Sequence, residues 1–488
     1  MTIVANAPVG QLRGRRDPVS GVSQFLGIPY APPPIEQLRW RAPGAPPQWS
    51  GVRDARTVAP RCLQHAPYGE LEPDNPNQSE DCLYLNVWTP ECSENAKLPV
   101  FFWIHGGEFW AGSGSEPRYN GESLARRGAV VVTINHRLGV FGFLSHPELR
   151  AESGQPGNFG LLDQIAALEW VRANIAAFGG DPHCITVAGE SAGSCSVSAL
   201  MASPLSKGLF QRALGQSCAY FMPEPHAMRP LSLVENEQRG IEFMRKARAN
   251  SLAELRSRSA WSLLDTWLLD TSKRFQPCFD DHVLPHVEDV FALAQQSSVP
   301  LLAGWNKEEM GYMRAAGAKF DAQVFRQSVE KSFGARAGSL LSAYESGNAL
   351  ESAVALTSDR TMTYPTWKWA ERHCVHAPVF VYQFDRCPPE SPFGAAHACE
   401  IEYIFGTLDS KRRPYQQADR ILSERIADYW VNFARTGSPN GAGLEVWPAY
   451  GVDKSVLHLD VEIAARALDR RERLELLDKL YDARRMAS

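Results

Sequence analysis

The chain has 488 residues, of which 44% are hydrophobic and 22% are charged. These proportions are typical of an ordinary globular protein, and the length allows a core that can enclose a water-excluding site. The formal net charge of −5 comes from 50 basic and 55 acidic residues. This near balance gives no electrostatic reason to expect nucleic acid or an anionic membrane as a partner.

The N-terminus and the cysteines bear on the cellular location. Met1 to Gly10 show no basic stretch followed by a long apolar run, so no signal peptide is predicted and we expect a cytoplasmic protein. No apolar run is long enough to span a bilayer. The ten cysteines include no Cys-x-x-Cys motif, which disfavours zinc ribbons and thioredoxin-like chemistry. Cys62 and Cys82 are compatible with a disulfide or with two reduced thiols.

The first half of the chain predicts strands. Residues Gly10 to Pro60 are rich in Pro, Gly and Arg and predict short strands and turns. Val100–Ile104 is a continuous apolar run, and Val130–Ile134 is β-branched throughout. Runs without alternation are typical of strands that are buried on both faces of a mainly parallel sheet.

Strand and helix patterns then alternate. Apolar residues recur at helical spacing from Leu161 to Phe178, and Gly179-Gly180 ends this predicted helix. The later predicted elements are a strand over Ile185–Ala188, a helix over Ser191–Met201, and strands over Leu301–Gly304 and Val379–Tyr382. This alternation predicts a doubly wound α/β sheet.

Two stretches interrupt this alternation with helical patterns, roughly residues 238–270 and 320–363. We expect them to be helical insertions that cap the sheet. Arg466 to Met486 predicts a charged, amphipathic C-terminal helix whose charges form a solvated face. Since no repeat or low-complexity linker divides the chain, we expect a single domain over residues 1–488.

The pentapeptide Gly189-Glu190-Ser191-Ala192-Gly193 matches the pattern Gly-x-Ser-x-Gly. In this pattern the serine stands on a tight strand-to-helix turn with its hydroxyl above the sheet. Its flanking glycines permit close packing where a Cβ would clash. The predicted strand before it and helix after it supply this context, so Ser191 is the candidate nucleophile.

A glycine-rich segment, His105-Gly106-Gly107-Glu108-Phe109, directly follows a predicted strand. Acyl transfer develops an oxyanion, and backbone N–H groups aimed at that oxygen stabilise it. A glycine-rich loop lets the backbone approach the substrate closely, whereas the alternative interpretation is an ordinary turn at a strand end.

These motifs and three further blocks resemble the type-B carboxylesterase family, which includes cholinesterases and bacterial para-nitrobenzyl esterases. The blocks are Ser79–Val87, Gly157–Gln164 and Phe178–Pro182, and the resemblance covers nearly the whole chain. It implies the α/β-hydrolase fold, in which a mostly parallel central sheet is flanked by helices and helical insertions form a cap over the active-site gorge. It also implies a serine carboxylesterase that hydrolyses small or medium carboxylic esters, including aryl or benzyl esters, through a covalent acyl-enzyme.

The resemblance also implies a Ser-Glu-His catalytic triad. The family's Gly-x-Asn-x-x-Glu segment corresponds to residues 304–309 and selects Glu309 as the acid, with Glu308 as the neighbouring competitor. Its Gly-x-x-His-x-x-Glu segment corresponds to residues 394–400 and selects His397 as the base. The rate should then fall on the acidic side, with a midpoint in the imidazole range of roughly 6–7.

By the same resemblance, the oxyanion donors are the backbone N–H groups of Gly107, Glu108 and Ala192. Glu108 departs from the Gly or Ala usual in the family, so its side chain must point away or reach the gorge. Glu190 either shapes the electrostatics of the site or is a hydrogen-bonded structural carboxylate. Cys218 replaces a glycine that usually follows the Gln-Ser pair at residues 216–217.

Aromatic residues near the motifs are candidates for the substrate pocket. They are Phe109, Trp110, Phe221, Trp267 and Phe275. We expect neither a metal nor a cofactor, because hydrolysis through an acyl-enzyme needs none and no metal-binding cluster is apparent. Two alternatives remain open: cleavage of carbamates or amides by the same triad, and a non-catalytic binding protein, as some relatives have lost catalysis.

Overall fold

The computed structural model describes residues 1–65, 77–222, 226–270, 272, 274–319, 321–451 and 453–485. The strands of these residues, in chain order, are β1 (Thr2–Ala7), β2 (Gly10–Arg16), β3 (Ser23–Pro29), β4 (Val52–Asp54), β5 (Arg61–Cys62), β6 (Gln78–Ser79), β7 (Tyr84–Thr89), β8 (Leu98–Ile104), β9 (Val130–Ile134), β10 (Gly180–Glu190), β11 (Arg212–Gln216), β12 (Leu231–Ser232), β13 (Cys278–Phe279), β14 (Leu301–Asn306), β15 (Val379–Phe384), β16 (Ser455–Leu459) and β17 (Ala464–Ala467).

One large sheet of 13 strands runs through these described residues. Its order is β1-β2-β3-β7-β9-β8-β10-β11-β14-β15-β16-β17, with β4 beside β2. From β9 to β16 all neighbouring strands are parallel. The pairs from β1 to β9 along the path, and the pair of β16 with β17, are antiparallel. The doubly wound sheet is therefore confirmed for the centre of the molecule, and the predicted N-terminal strands form its antiparallel edge.

The α-helices, in chain order, are α1 (Glu122–Arg126), α2 (Gly139–Phe143), α3 (Pro147–Ser153), α4 (Phe159–Asn174), α5 (Ala192–Ala202), α6 (Leu233–Lys246), α7 (Leu252–Ser257), α8 (Ala260–Leu268), α9 (Val287–Ala292), α10 (Ala322–Phe333), α11 (Ala337–Tyr344), α12 (Ala349–Ser358), α13 (Tyr364–His373), α14 (Ile401–Phe405), α15 (Gln417–Thr436) and α16 (Arg471–Arg485). Both predicted insertions are helical, since α6–α8 cover the first and α10–α12 the second. None of the helices in the described ranges is long and apolar enough to cross a membrane.

Strand β8 shows why the central strands lack a polar face. Val100, Phe102 and Ile104 are buried in one hydrophobic cluster, whereas Phe101 and Trp103 belong to a second cluster. Because successive side chains of a strand point to opposite faces, the continuous apolar run fills a core on each side of the sheet. The helices pack on these two cores.

The predicted C-terminal helix begins too early. Residues Ala464–Ala467 form β17, which pairs antiparallel with β16, and the helix starts only at Arg471. Pairing with the edge of the sheet overrides the helix propensity of this alanine-rich segment. The predicted end of the helix at Met486 lies outside the described residues.

All ten cysteines are free thiols. Cys62 and Cys82 are both buried and lie side by side. The hydrogen bond with Cys62, together with burial, raises the pKa of the Cys82 thiol well above its usual value. Of the two alternatives for this pair, the structure contains the reduced thiols.

A buried ion pair ties the end of β9 to α4. Arg137 Nη2 and Nε donate to Asp163 Oδ1 and Oδ2 over 2.6 and 2.8 Å. The two side chains are 2% and 0% exposed, so neither charge is solvated. The backbone N–H of Arg137 donates to the same carboxylate. Removal of one partner would leave an uncompensated charge in the core.

We therefore expect Asp163→Ala to lower the free energy of unfolding by about 3–5 kcal/mol, measured by urea denaturation. The control is Glu475→Ala, which removes the partner of Arg471 from a pair whose side chains are 55% and 42% exposed. That change should cost less than about 1 kcal/mol. Equal losses in the two variants would contradict a structural role for the buried pair.

Candidate active site

The candidate residues lie at one edge of the sheet, where parallel strands end. Ser191 follows β10, Glu309 lies three residues beyond β14, and His397 lies in the segment between β15 and α14. The glycine loop at Gly106 and Gly107 follows β8. The carboxyl ends of parallel strands meet at the same edge and are the usual place for a ligand site in such folds.

Ser191 stands on a strained turn between β10 and α5. Its φ of 56° is positive, which is uncommon for a residue with a side chain. Its N–H donates to the carbonyl of Gln216 over 2.8 Å. A Cβ added to Gly189 would lie 2.5 Å from the Gly193 backbone, and one added to Gly193 would collide with the carbonyl oxygen of Ile104. Both motif glycines are therefore needed for this turn to pack against β8.

Glu309 and His397 are in direct contact. His397 Nδ1 lies 2.7 Å from Glu309 Oε2. The other carboxylate oxygen accepts hydrogen bonds from Ser217 Oγ over 2.6 Å and from the Asn306 N–H over 2.7 Å. Glu309 is fully buried. The carboxylate is thus fixed on one side and orients the imidazole on the other.

Glu308, the competing candidate for the acid, points elsewhere. Its carboxylate accepts a hydrogen bond from Arg314 Nη2 over 2.7 Å and another from the Ala395 N–H over 2.9 Å. The same Arg314 also binds Glu351. The structure therefore brings Glu309, and not Glu308, to the histidine.

The Nε2 edge of His397 faces Glu190, whose Oε1 lies 3.2 Å away. Among the described residues, Ser191 Oγ makes no hydrogen bond with the imidazole. Hydrogen bonds between a nucleophile and its base are often long before the substrate binds. Glu190 is 2% exposed, so its charge is not screened by solvent. Of its two interpretations, this contact favours an electrostatic influence on the site.

Buried carboxyl groups set the protonation of this site. Burial lowers the pKa of His397, but Glu190 and the hydrogen bond with Glu309 outweigh that effect and raise the pKa to about 10. Burial raises the pKa of Glu190 to about 8, and the neighbouring Glu400 adds to the rise. Because His397 and Glu190 are in contact, they titrate as a coupled pair.

Two further residues that support the site, Ser217 and Glu400, are not selected by the sequence reasoning. Ser217 binds Glu309, as described above, and Glu400 accepts hydrogen bonds from Gln216 Nε2 over 3.0 Å and Asn306 Nδ2 over 2.5 Å. Both residues lie in segments that the family resemblance already marks: Glu400 ends the histidine segment, and Ser217 belongs to the Gln-Ser pair.

The glycine loop borders the serine. A Cβ added to Gly106 would lie 3.2 Å from Ser191 Cβ and 2.7 Å from Glu190 Oε2. The carbonyl of Gly107 accepts the N–H groups of Trp110 and Ala111, each over 3.0 Å, which closes the loop into a tight turn. The backbone of the loop is therefore in contact with the turn that carries the nucleophile.

Two further predicted oxyanion donors are the N–H groups of Ala192 and Glu108. Ala192 is the first residue of α5, and the N–H groups of the first helical turn have no acceptor within the helix. Glu108 has a positive φ of 53°. Its side chain forms an ion pair with Arg274, so the carboxylate is directed towards the segment after α8.

The predicted pocket aromatics divide into two groups. Trp110 packs edge-on against Trp267, with ring centroids 6.0 Å apart, and Trp267 contacts Phe275 over 6.3 Å. Phe109 precedes Trp110 in the glycine loop, whereas Phe221 packs on Phe291 of α9 over 5.1 Å. Trp110 is partly exposed and the other four predicted residues are buried. The structure thus joins Trp110, Trp267 and Phe275 into one row beside the glycine loop.

Within the described ranges, no group of three or more His, Cys, Asp or Glu side chains is placed to hold a metal ion. The site itself combines a strained serine, an imidazole oriented by a carboxylate, and a glycine loop. Together they can support nucleophilic attack and proton transfer.

Comparison with known proteins finds esterases that match nearly the whole chain. The model of the carboxylesterase family matches residues 2–476. The para-nitrobenzyl esterase of Bacillus subtilis (strain 168) is 37% identical over 483 residues, covering 94% of this chain and 95% of the relative. A fumonisin B1 esterase of Sphingopyxis macrogoltabida is 36% identical over 461 residues, covering 88% of this chain and 82% of the relative.

Solved structures give the same result. A para-nitrobenzyl esterase structure superposes with a TM-score of 0.86 at 36% identity, covering 97% of this chain and 99% of that chain. A carboxylesterase of Geobacillus stearothermophilus superposes with a TM-score of 0.85 at 32% identity and the same coverage. These matches confirm the predicted α/β-hydrolase fold, and the chain belongs to the carboxylesterase family and is a carboxylic-ester hydrolase.

Proposed function

We propose that Ser191, His397 and Glu309 are the nucleophile, base and acid of this ester hydrolase. The observation that carries the proposal is the 2.7 Å contact of His397 Nδ1 with the buried Glu309, at the strand edge that also presents Ser191. The roles follow the triad pattern, in which the acid orients the base and the base takes the proton of the nucleophile. Because all three residues are present at one edge of the sheet, a non-catalytic binding role is disfavoured.

In the first half-reaction, Ser191 Oγ attacks the ester carbonyl carbon while His397 Nε2 accepts the hydroxyl proton. For this step Nε2 exchanges its contact with Glu190 for one with Ser191. The tetrahedral intermediate collapses, and the departing alkoxide takes the proton from Nε2. A water molecule then attacks the acyl-enzyme and gives its proton to Nε2, after which the carboxylic acid leaves and Ser191 regains its hydrogen.

The negative charge of the tetrahedral intermediate develops beside the glycine loop. The backbone N–H groups of Gly107, Glu108 and Ala192 are the proposed donors to this oxyanion. Support comes from the contact of the loop with the Ser191 turn and from the position of Ala192 at the start of α5. Donors fixed in place before the reaction need no reorganisation when the charge forms.

For the substrate, we favour small or medium esters that carry an aryl or benzyl group. The row of Trp110, Trp267 and Phe275 beside the glycine loop offers aromatic surface for such a group. The similarity to para-nitrobenzyl esterases points to the same class. Phe109 and Phe221 remain candidates for the pocket wall.

The remaining proposals concern the whole chain. Residues 1–488 form one catalytic unit, with both helical insertions capping the site. In support, Trp267 of the first insertion packs on Trp110, and Ser358 of the second accepts a hydrogen bond from the Met310 N–H over 2.9 Å, next to Glu309. The ten free cysteines are compatible with the predicted cytoplasmic location.

Ser191→Ala tests the nucleophile. We expect kcat for para-nitrobenzyl acetate to fall by about three orders of magnitude or more, because no acyl-enzyme can form. An organofluorophosphonate should label the wild-type protein at Ser191 and should not label the variant. The control is Ser203→Ala at the end of α5, whose buried hydroxyl has no hydrogen-bond partner in the described residues. Near-normal turnover by Ser191→Ala would remove Ser191 from its role.

Neighbouring glutamates provide a matched test of the acid. Glu309→Gln should lower kcat by about 10³–10⁴-fold, since an amide cannot hold the imidazole in the tautomer that the reaction needs. Glu308→Gln alters only the contacts with Arg314 and Ala395 and should change kcat by less than about threefold. Steady-state kinetics of the two purified variants decides, and a larger loss in Glu308→Gln would reverse the assignment.

The Glu190–His397 contact predicts the pH profile. Carboxylates near the imidazole favour its protonated form, so kcat/KM should rise through an apparent pKa above the range of roughly 6–7 that the sequence alone predicts. Glu190→Gln removes one of these charges and should lower the apparent pKa by about 1. Profiles of kcat/KM against pH report the free enzyme. Glu308→Gln serves as control, and an unchanged or raised midpoint in Glu190→Gln would refute the electrostatic role.

A further inference from the structure

An ion pair connects the glycine loop to the segment that follows the first helical insertion. Glu108 of the loop pairs with Arg274, which lies just after α8, and the side chains are 30% and 31% exposed. The Arg274 guanidinium also lies over the ring of Trp110, 4.7 Å from its centroid. Arg274 therefore contacts the residues on both sides of Phe109, within the loop that is proposed to bind the oxyanion.

The backbone of Arg274 is fixed by a contact with α6. Arg239 Nη1, on α6, donates a hydrogen bond to the Arg274 carbonyl over 2.7 Å. Trp267 of α8 packs on the same Trp110 ring that Arg274 covers. The segment after α8 therefore presents the guanidinium from a fixed backbone, so the charge can orient the loop.

A second set of contacts fixes the loop from the side of α2. The carbonyl of Phe109 accepts the Gly139 N–H over 2.7 Å. A Cβ added to Gly139 would collide with the Trp267 ring, so α2 and α8 meet directly beside the loop. This bond fixes the backbone at Phe109. Arg274 contacts the side chains of the two neighbouring residues, Glu108 and Trp110, and can orient them.

The charge of Glu108 matters because of where it is attached. Its own N–H is a proposed donor to the oxyanion, and a carboxylate on the same residue would oppose the negative charge that develops there. A guanidinium bound to this carboxylate cancels the repulsion and draws the side chain towards the insertion. Arg is suited to this task because its planar, always charged group pairs with a carboxylate and stacks on an aromatic ring at once.

We propose that Arg274 is a positioning residue for ester hydrolysis, which neutralises Glu108 and holds the glycine loop so that its N–H groups face the oxyanion. The proposal rests on the proposed function, because it takes the Glu108 N–H as an oxyanion donor. Arg274 touches neither the ester nor the reacting atoms. Its effect therefore appears in the transition state and not in the binding of the substrate.

The test is a double-mutant cycle on the full chain, with Arg274→Ala, Glu108→Gln and the double variant. We expect Arg274→Ala to lower kcat by about 10-fold, less than the 10²–10³-fold typical of losing a donor outright, with KM changed less than twofold. Inhibition by an aryl trifluoromethyl ketone, which forms an oxyanion with the serine, should weaken in parallel. In the Glu108→Gln background, the same arginine substitution should change kcat by less than threefold, because the carboxylate that needs neutralising is gone.

Two controls accompany the cycle. Arg274→Lys keeps the positive charge but not the planar group that stacks on Trp110, so its kcat should lie between those of Arg274→Ala and the wild type. Lys246→Ala breaks an ion pair of the first insertion, with Asp270 at 2.9 Å and both side chains 33% exposed, and should leave kcat unchanged. Urea midpoints of all variants confirm that each is folded.

Three outcomes would overturn the proposal: an equal loss of kcat in both Glu108 backgrounds, a rise in KM alone, or no loss on Arg274→Ala. A rise in KM alone would mean that Arg274 contacts the substrate. Failure of the proposed function is separate, since it would appear as wild-type protein that an organofluorophosphonate does not label at Ser191. If Ser191 of the wild-type protein is labelled but the double-mutant cycle shows no coupling between Arg274 and Glu108, only the role of Arg274 is refuted.

Discussion

The close approach of β8 and the Ser191 turn is the constraint on which the site depends. The turn brings the Gly193 backbone against the carbonyl of Ile104, at a spacing that excludes any side chain. The glycine loop leaves the sheet directly after Ile104, so the same contact brings the loop backbone beside the serine. One packing requirement thus explains Gly189 and Gly193 of the serine motif and Gly106 of the loop, and it places a nucleophile beside the loop backbone. Gly107 is required by the loop itself, since a Cβ there would meet the Ala111 carbonyl.

A second constraint is the number of carboxyl groups buried around one imidazole. Glu309 binds Nδ1, Glu190 faces Nε2, and Glu400 lies behind both and accepts amide hydrogen bonds. Burial penalises charge and raises the pKa of Glu190 and of Glu400. Glu309 differs from Glu190 because its carboxylate accepts hydrogen bonds from a hydroxyl and a backbone N–H. Two glutamates beside the same imidazole therefore differ because different hydrogen-bond donors surround them.

Local patterns predict much of the fold but select only part of the site. The apolar runs of β8 and β9 identify the central strands, and Gly-x-Ser-x-Gly identifies Ser191, because both depend on neighbouring residues. Glu309 and His397 could be selected only through resemblance to a family, since no local rule distinguishes one of twelve histidines. The misplaced start of the C-terminal helix has the same origin: Ala464–Ala467 is a strand only because β16 offers it an edge.

Glu108 shows the same limit at the level of a single side chain. The sequence reveals an unusual residue but leaves its direction open, because its partner Arg274 is far away in the chain, just after the first insertion. A small residue at this position would make no demand on that segment. A glutamate there places a negative charge beside the proposed oxyanion site, and Arg274 supplies the opposite charge from a fixed position. The loop and the segment after α8 therefore depend on each other in this esterase, so a change in either must be judged together with the other.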